Sequence, residues 1–322
     1  MKKVFAILII GAIFVPLNAQ RKVGFAGAKF LSIPVNVRGA GLSEAYTALF
    51  GEPSCVFWNP AGLAEITSPR SLGFSYTHYI AENYLGSLSY VQDYMGYGKV
   101  GIFAGYLYSP NFEEAYVDEI NGPYLTGNKV NYTAFQAGLT YSQKFTKLFS
   151  FGINIKGIYE DYADVTSCYS FAIDAGTLFW TGWRSLRVAM SLQNLGPNLK
   201  PSGKFMKYTM RGDIEKEYVD YPLPIIFRIG IAGEIIETEF LKWTFSFEGK
   251  HPNDNVETFS FGTEISYMNM LFLRGGYTIN KDEGGLAFGF GLSLAKRTNL
   301  DYSFSDFGAL PDIHRVGLSF NF

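Results

Sequence analysis

The stretch Phe149-Ser150-Phe151-Gly152-Ile153-Asn154-Ile155-Lys156 alternates apolar and small or polar side chains at every step. Side chains along a β-strand point to opposite faces in turn, so its Phe and Ile residues share one face and its Ser, Gly, Asn and Lys residues share the other. A strand with one apolar and one polar face is typical of the wall of an outer-membrane β-barrel. The same period-two pattern recurs from about residue 70 to the final residue, Phe322.

Fourteen segments of the sequence show this pattern and are predicted to be strands. The number is even, as a single-chain bacterial barrel requires if both ends of its wall are to face the periplasm. The predicted strands cover residues 71–79, 84–93, 98–108, 129–144, 147–160, 166–180, 184–194, 222–235, 239–250, 255–266, 268–279, 283–295, 298–306 and 314–322.

The lengths of the predicted connections support this count, because outer-membrane barrels carry short periplasmic turns and longer external loops. The three longest connections follow the third, seventh and thirteenth predicted strands. All three are odd-numbered, so with a periplasmic N-terminus all three emerge on the outer side. The sequence therefore predicts an all-β fold, a transmembrane antiparallel β-barrel of about 14 strands over residues 71–322, with external connections near residues 109–128 and 195–221.

Charged side chains keep to one face of the predicted strands. An Arg or Lys on the lipid side at mid-bilayer costs about 2 to 4 kcal/mol, so a membrane barrel should place its charges in the lumen. Both signs occur in similar number on that face, so mutual pairing that stiffens the barrel is favoured over a pathway for a charged solute. The lumen-facing polar candidates are Lys156, Asp174, Arg187, Arg228, Glu248, Glu264 and Arg274.

A soluble antiparallel sandwich would also produce alternation, with its apolar faces packed on each other instead of on lipid. Three features favour the membrane barrel: an export signal, strands of ten residues or more, and the terminal strand Val316–Phe322. A final aromatic residue after alternating apolar positions resembles the signal that the outer-membrane barrel assembly machinery reads. Trp180 and Trp183, which bracket the turn after the sixth predicted strand, are expected to belong to an interfacial aromatic girdle.

Residues 1–19 have the layout of a secretory signal peptide. Two lysines precede an apolar run over residues 4–15, and Ala19 is the small residue at the predicted cleavage point. The apolar run is shorter than the roughly 20 residues that a spanning helix needs. We therefore expect cleavage after Ala19 and localisation in the outer membrane, in contact with its lipid.

The composition excludes one class of partner and agrees with a barrel. A formal net charge of −2 provides no basic field that would attract nucleic acid. A 17% aromatic content and 35 glycines supply rings for a lipid face and small residues where backbones approach closely. Cys55 and Cys168 could form one disulfide, but they lie in different predicted parts of the fold, so unpaired thiols are favoured.

The segment before the predicted barrel, residues 20–70, mixes small and aromatic residues without alternation. It contains the strings Val37–Ala48 and Cys55–Ala64, and Asn59-Pro60 within the second string is typical of a turn. Such a segment ahead of a barrel is suited to folding into the lumen as a plug.

Specific strings in the chain resemble a known family. The arginine-glycine string Val37–Ala48, followed by Trp58-Asn59-Pro60-Ala61-Gly62-Leu63-Ala64, resembles the N-terminal signature of the PorV/PorQ family of outer-membrane proteins, relatives of the FadL fatty-acid channel. The resemblance continues through Asn194–Pro197, Leu223–Gly230, Leu273–Tyr277 and His314-Arg315, and so covers nearly the whole mature chain. It implies a FadL-like barrel of fourteen strands with an N-terminal hatch whose turn motif is Asn59, Pro60, Ala61 and Gly62.

No pattern in the sequence indicates catalysis. The histidines His78, His251 and His314 are too far apart to predict a zinc site by spacing. The glycine-containing run over residues 285–291 lacks the lysine of a phosphate-binding loop and follows a strand pattern. The chain is therefore expected to be neither an enzyme nor a holder of a metal or cofactor.

Two functions follow from the resemblance and the fold. The PorV/PorQ likeness implies work with the type IX secretion machinery, in which the external connections contact translocon subunits and exported cargo proteins or help to attach cargo to the cell surface. The alternative is FadL-like passive transport of a hydrophobic small molecule, which requires an apolar pocket beside the hatch.

Overall fold

The computed structural model of the chain describes residues 23–118, 122–163, 165–207, 214–294 and 297–322. The predicted signal peptide lies outside these residues. The described residues form a closed antiparallel barrel of fourteen strands, in which the first strand pairs with the last and Ser71 lies opposite Asn321. This confirms the predicted fold class. Within the described ranges, no helix is long and apolar enough to cross a membrane.

The described residues form sixteen strands in all, because the connection between the seventh and eighth wall strands carries a separate pair of strands, the β8–β9 hairpin. The strands are β1 Arg70–His78, β2 Tyr84–Asp93, β3 Lys99–Asp118, β4 Gly122–Lys144, β5 Phe149–Tyr162, β6 Thr166–Trp180, β7 Arg187–Leu195, β8 Lys204–Lys207, β9 Ile214–Glu217, β10 Ile226–Glu237, β11 Leu241–Pro252, β12 Thr258–Tyr267, β13 Leu271–Ile279, β14 Leu286–Leu294, β15 Thr298–Ser305 and β16 Ile313–Asn321.

The burial of side chains along the wall is the reverse of that in a soluble protein. On β5, Ile155 is 58% exposed, whereas its neighbours Asn154 and Lys156 are 0% and 6% exposed. A soluble sandwich would bury the isoleucine and expose the lysine. The wall therefore presents its apolar face to lipid and its polar face to the lumen.

The two ends of the barrel differ in their connections. One end carries turns of three to six residues and both ends of the wall, Arg70 and Asn321, so we call it the inner rim and assign it to the periplasm. The opposite, outer rim carries the longer connection of residues 196–225.

The predicted connection near 109–128 is largely strand, because β3 and β4 continue their ladder beyond the wall through two irregularities of register. Aromatic and β-branched pairs such as Phe112 and Val130 keep this extension paired.

Residues 23–69, the lumenal segment, run inside the barrel from the outer rim to the inner rim. The N–H of Gly24 donates to Asp254 O near the outer rim at 3.3 Å, and Lys99 Nζ near the inner rim donates to Ser68 O at 2.6 Å. The segment contains one short helix, α1 (Val37–Gly41), and the 3-10 turns Lys29–Ser32, Pro53–Phe57 and Pro60–Glu65; a fourth such turn, Ile80–Glu82, joins β1 to β2.

Trp180 and Trp183 do not share one environment. Trp183 is 65% exposed at the inner rim, as an interfacial residue would be, while the Trp180 ring packs edge-on against Phe50 of the lumenal segment at 5.4 Å. The reason is strand parity, since Trp180 has the same facing as the buried Leu178 and Asp174 of β6.

Candidate functional site

The Asn59-Pro60-Ala61-Gly62 turn fixes the lumenal segment near the inner rim. Asn59 Oδ1 accepts the N–H of Ala61 at 3.1 Å, which caps the 3-10 turn that begins at Pro60. The Asn59 side-chain amide donates to Thr47 O at 2.9 Å and to Thr177 O of β6 at 3.1 Å. One asparagine therefore joins two parts of the segment to the wall.

Two strand glycines make room for this turn. A Cβ added to Gly152 would lie 2.3 Å from the Pro60 carbonyl carbon, and one added to Gly176 would lie 2.0 Å from Asn59 Oδ1. Real side chains never approach so closely, so only glycine allows the segment to contact the backbone of β5 and β6 here.

A buried chain of charges joins helix α1 to three strands. Arg38 Nη2 lies 2.6 Å from Glu264 Oε1, and the other oxygen of Glu264 lies 2.6 Å from Arg274 Nε. Arg274 Nη1 in turn lies 2.5 Å from Asp301 Oδ1. The charges of two arginines and two carboxylates thus cancel inside the barrel.

The structure brings the seven predicted lumen residues into four buried ion pairs inside the lumen. Glu264 with Arg274 is the pair described above. The other three pairs are Lys156 with Asp174 at 2.9 Å, Arg187 with Glu234 at 3.0 Å, and Arg228 with Glu248 at 3.5 Å.

Glu248 also holds the lumenal segment directly. Its Oε2 accepts the backbone N–H groups of Tyr46 and Thr47 at 2.9 and 2.8 Å. The guanidinium of Arg228 lies 4.6 Å from the centre of the Trp58 ring. These paired charges are therefore used in holding the segment to the wall.

The outer half of the lumen contains a cavity of about 550 Å³. The lumenal segment forms part of its lining through Phe30, Ile33 and Ala40, and the wall supplies aromatic and aliphatic side chains. The strands contribute Leu107, Phe112, Leu286 and Ile313 to this apolar lining, and the connection between β15 and β16 contributes Phe307.

Four charged side chains also line this cavity, and they are not balanced. Lys29 pairs with Asp254 at 2.6 Å, and Glu44 pairs with Lys250 at 2.6 Å. Lys281 and Arg315 have no carboxylate within 4 Å in the part of the chain that the structure describes. Arg315 instead donates to Pro34 O at 3.1 Å and to Ser305 Oγ at 2.9 Å.

The pKa values of two lining groups outside the strands reflect this local surplus of positive charge. Burial alone would raise the pKa of Glu44, but the charges of Lys250, Lys281 and Arg228 outweigh it and lower the pKa to about 2. Burial lowers the pKa of Lys281; Glu44 opposes this effect and the charges of Lys250 and Arg315 add to it. An anion entering the cavity would meet a positive field.

Part of the lining is held in an uncommon backbone conformation. Ser43 and Glu44 have left-handed φ angles of 50° and 74°, which non-glycine residues rarely adopt. Ser43 Oγ donates to Gly285 O at 2.7 Å, and the N–H of Glu44 donates to Gly39 O at 2.9 Å. The surrounding contacts therefore fix the position of the Glu44 carboxylate.

The wall below the long external connection contains a buried acid, Glu160, that has no cation within 4 Å among the described residues. Glu160 accepts hydrogen bonds from Tyr132, which lines the cavity, and from Tyr162, whose hydroxyl lies 2.7 Å from that of Tyr221 in the 196–225 connection. Cys168 lies beside this group and Cys55 lies within the lumenal segment; both thiols are free.

Sequence patterns alone missed the residues that distinguish the cavity. Arg315 belongs to the His314-Arg315 string of the family resemblance. Its parity with the buried Ile313 also marks it as lumen-facing. Lys29 and Lys281 lie outside the strands, where alternation gives no signal.

Within the described ranges, no group of three or more His, Cys, Asp or Glu residues could hold a metal ion.

Comparison with known proteins gives a result at the level of the fold. No protein-family model matches the chain, and no curated protein sequence matches it. Among solved structures, the chain is similar to the CymD monoaromatic hydrocarbon channel, with 12% identity over 89% of this chain and 97% of that chain and a TM-score of 0.62. It is also similar to the Ralstonia pickettii toluene transporter TbuX, with 12% identity over 90% and 100% of the two chains and a TM-score of 0.58.

A FadL homologue of Pseudomonas aeruginosa is a further structural neighbour, with 10% identity over 90% of this chain and 99% of that chain and a TM-score of 0.54. At these identities the likeness establishes the fold alone. The chain has the fold of the FadL-type outer-membrane β-barrels.

Proposed function

We propose that this chain is a non-enzymatic barrel that admits a small amphipathic anion from the outer side and passes it inward by passive transport. The observation that carries the proposal is the cavity of about 550 Å³ in the outer lumen. Its lining is mainly apolar and includes two cations, Lys281 and Arg315, that have no carboxylate within 4 Å among the described residues. The ligand that fits has an apolar body and one carboxylate-like head.

The size and lining of the cavity support a small-molecule ligand. Pockets for such ligands usually measure about 300–1,000 Å³ and combine an apolar lining with a few polar groups that orient the ligand. The aromatic and aliphatic side chains around Phe30, Leu107 and Phe307 would cover the apolar body.

The charges support an anionic head. A fully apolar ligand would take water from Lys281 and Arg315 without replacing it, and an uncompensated charge in an apolar site is costly. A carboxylate placed between these groups would pair with both. The names of the structural neighbours support passage of hydrophobic molecules through this fold, whereas the anionic head is inferred from the cavity of this chain.

In this proposal the lumenal segment acts as a hatch. It separates the cavity from the inner rim, and the Asn59 turn and the buried ion pairs hold it in place. Passage therefore requires a local displacement of this segment. Release toward the inner side should be slower than binding from the outer side.

A filled cavity tests the proposal. Ala287 lines the cavity and is 2% exposed, so Ala287→Phe should occupy space that a ligand needs. Binding of dodecanoate to the detergent-solubilised protein, measured by calorimetry, should weaken at least ten-fold. Ala104→Phe adds the same bulk to the lipid side of β3 and should bind like the wild type.

The same measurement with dodecan-1-ol tests the anionic head. The alcohol has the same chain and no charge, so it should bind about ten-fold more weakly than dodecanoate. Equal binding by Ala287→Phe and the wild type would refute the cavity as the site. Equal affinity for the acid and the alcohol would refute the role of the cations.

The second candidate function is the PorV/PorQ-type role in type IX secretion, which the resemblance around Trp58-Asn59-Pro60 favours. In that role the β8–β9 hairpin and the rest of the 196–225 connection would contact translocon subunits or exported cargo. Both strands of the hairpin carry charged side chains, including the exposed ion pair of Lys204 with Glu215 at 2.8 Å.

Removal of the hairpin distinguishes this role from small-molecule passage. Replacement of residues 203–218 by a short Gly-Ser linker leaves the fourteen wall strands intact. Secretion predicts loss of partner capture from solubilised outer membranes of the host, with dodecanoate binding retained. Unchanged capture of translocon subunits or cargo would refute the role of the hairpin.

A further inference from the structure

The wall has a notch at the inner rim, beside the turn of residues 181–186. β7 pairs with β10 from Gln193 opposite Ile226 as far as Arg187 opposite Ala232, whereas β10 continues to Glu237. The last five residues of β10 therefore have no strand on this side. The N–H of Glu234 donates instead to Ser185 Oγ of the turn at 2.9 Å.

An apolar groove of about 300 Å³ lies at this notch on the lipid-facing side. Its walls include Leu186, Ile231, Ile235 and Phe245, and Gly233 lies among them without a side chain. Ile235 is 55% exposed and Phe245 42% exposed, so these groups face the membrane. The missing strand and the glycine make a depression in an otherwise filled wall.

A polar pocket of about 480 Å³ adjoins the groove across the same turn and shares Arg184 and Ser185 with it. Arg184 has no carboxylate within 4 Å in the described part of the chain, and its guanidinium lies 5.9 Å from the centre of the exposed Trp183 ring. Trp rings of membrane proteins concentrate at the level of the lipid headgroups. The polar pocket therefore begins where the hydrocarbon ends.

We propose that the notch binds one glycerophospholipid of the inner leaflet, with an acyl chain in the Gly233 groove and the phosphate on Arg184. A guanidinium matches phosphate geometry with paired N–H donors. The inner rim faces the periplasm, so the groove lies in the leaflet on that side. The site is separate from the cavity of the outer lumen and does not depend on the function proposed for it.

The far side of the polar pocket favours an ethanolamine headgroup. Lys242 Nζ lies 3.4 Å from Glu234 and 3.6 Å from Glu237, and the Glu237 side chain remains 60% exposed. An ammonium group beyond the phosphate can therefore reach the Glu237 carboxylate. Positive Arg184 and negative Glu237 complement a zwitterionic headgroup.

Two substitutions test the two ends of the site. Gly233 has an ordinary backbone conformation and its added Cβ would have no neighbour closer than 3.6 Å, so Gly233→Leu should fold and fill the groove. Arg184→Gln should remove the phosphate partner. Native mass spectrometry of the full barrel in maltoside, titrated with palmitoyl-oleoyl phosphatidylethanolamine, should show one tightly held lipid per wild-type barrel.

The expected losses differ in size. Gly233→Leu should reduce occupancy at least ten-fold, and Arg184→Gln should weaken binding about five-fold, as expected for one basic residue at a lipid surface. Gly249→Leu is the matched control, because Gly249 shares the lipid-facing parity of Phe247 on β11 and a Cβ there would have no neighbour closer than 3.6 Å. It should retain wild-type occupancy.

Two further measurements make the result decisive. All variants should keep the heat-modifiable migration of a folded barrel on gels, so that loss of lipid reports on the site. Palmitoyl-oleoyl glycerol, which lacks the phosphate, should bind the wild type and Arg184→Gln equally weakly. Wild-type occupancy in Gly233→Leu, or equal retention of the two lipids by the wild type, would overturn the proposal.

Discussion

The inner and outer halves of the lumen are enclosed by the same strands but are filled differently. In the inner half, Arg38, Glu264, Arg274 and Asp301 form a continuous chain of buried ion pairs. In the outer half, Arg315 and Lys281 face a cavity of about 550 Å³ without a carboxylate within 4 Å in the described residues. Paired charges hold a plug in place, and unpaired charges beside empty volume are available to a ligand.

Two arginines on the wall test this contrast most strongly. Arg274→Gln leaves Asp301 without its cation and Glu264 with Arg38 alone, so the free energy of unfolding should fall by about 3–5 kcal/mol. Arg315→Gln removes a buried cation that has no carboxylate within 4 Å in the ranges that the structure describes, so stability should change by less than about 1 kcal/mol. Urea unfolding in detergent micelles measures both. Equal losses of unfolding free energy in the two variants would mean that the charges of both halves contribute equally to stability.

Glu44, at the boundary of the two halves, should make the lumenal segment sensitive to acid. Its pKa is lowered from 4.5 to about 2 in the folded chain, so its stabilising effect is complete above pH 4.5 and is lost as the pH falls toward 2. The full effect is at most about 3 kcal/mol. The protection factors of residues 39–47 in hydrogen exchange, which remove the intrinsic pH dependence of amide exchange, should fall between pH 5 and pH 2.5.

The variant Glu44→Gln is the control for this acid effect, because it cannot titrate. Its protection factors should already be lower at pH 5 and should change less on acidification. A pH response equal to that of the wild type would assign the acid sensitivity to other groups.

Two glycines of β5 test how closely the inner half is packed. Gly152→Ala places a Cβ within 2.6 Å of Pro60 and Ala61 and should destabilise the protein by about 1–3 kcal/mol. Gly157→Ala, on the same strand, meets no atom closer than 4.0 Å and should have little effect. Protease sensitivity of the lumenal segment and urea unfolding report on both variants. Two equally stable variants would show that the turn does not depend on the close approach.

The smallest change in stability is expected at Lys281, which lies in the connection between β13 and β14. Lys281→Gln should leave the unfolding free energy within about 0.5 kcal/mol of the wild type. Its affinity for dodecanoate should nevertheless fall about five-fold, since one of the two cations is lost. Lys200→Gln, which removes an exposed cation paired with Glu217, should change neither quantity. Unchanged dodecanoate affinity in Lys281→Gln would place the head elsewhere.

Much of the wall was predictable because its signal is local. Each of the fourteen predicted strands corresponds to a wall strand, and β6 has the predicted bounds of 166 and 180. The largest difference is the continuation of β3 to Asp118 and of β4 from Gly122, where pairing outlasts the membrane and no lipid imposes alternation. Trp180 was placed in the girdle from its proximity to Trp183, although strand parity directs it into the lumen.

The candidate site was predictable only in part. The inner charges could be named from the polar face of each strand, but the cavity-lining cations Lys29 and Lys281 lie outside the strands and carry no periodic signal. Sequence patterns also did not separate the lumen into a filled half and an open half. That division depends on where the 23–69 segment lies against the wall.

The sequence by itself determined that this chain forms a barrel wall and which side chains face inward, because the facing of a strand residue depends on its neighbours one and two positions away. Only the tertiary structure decided which charges are paired, since Arg38 and Glu264 are 226 residues apart and meet only when the barrel closes around the lumenal segment. The same closure leaves Arg315 beside empty space. The side of the wall to which a strand residue points is encoded locally in the sequence. The pairing of charges and the volume of the cavity depend on the register of distant strands and on the course of the lumenal segment.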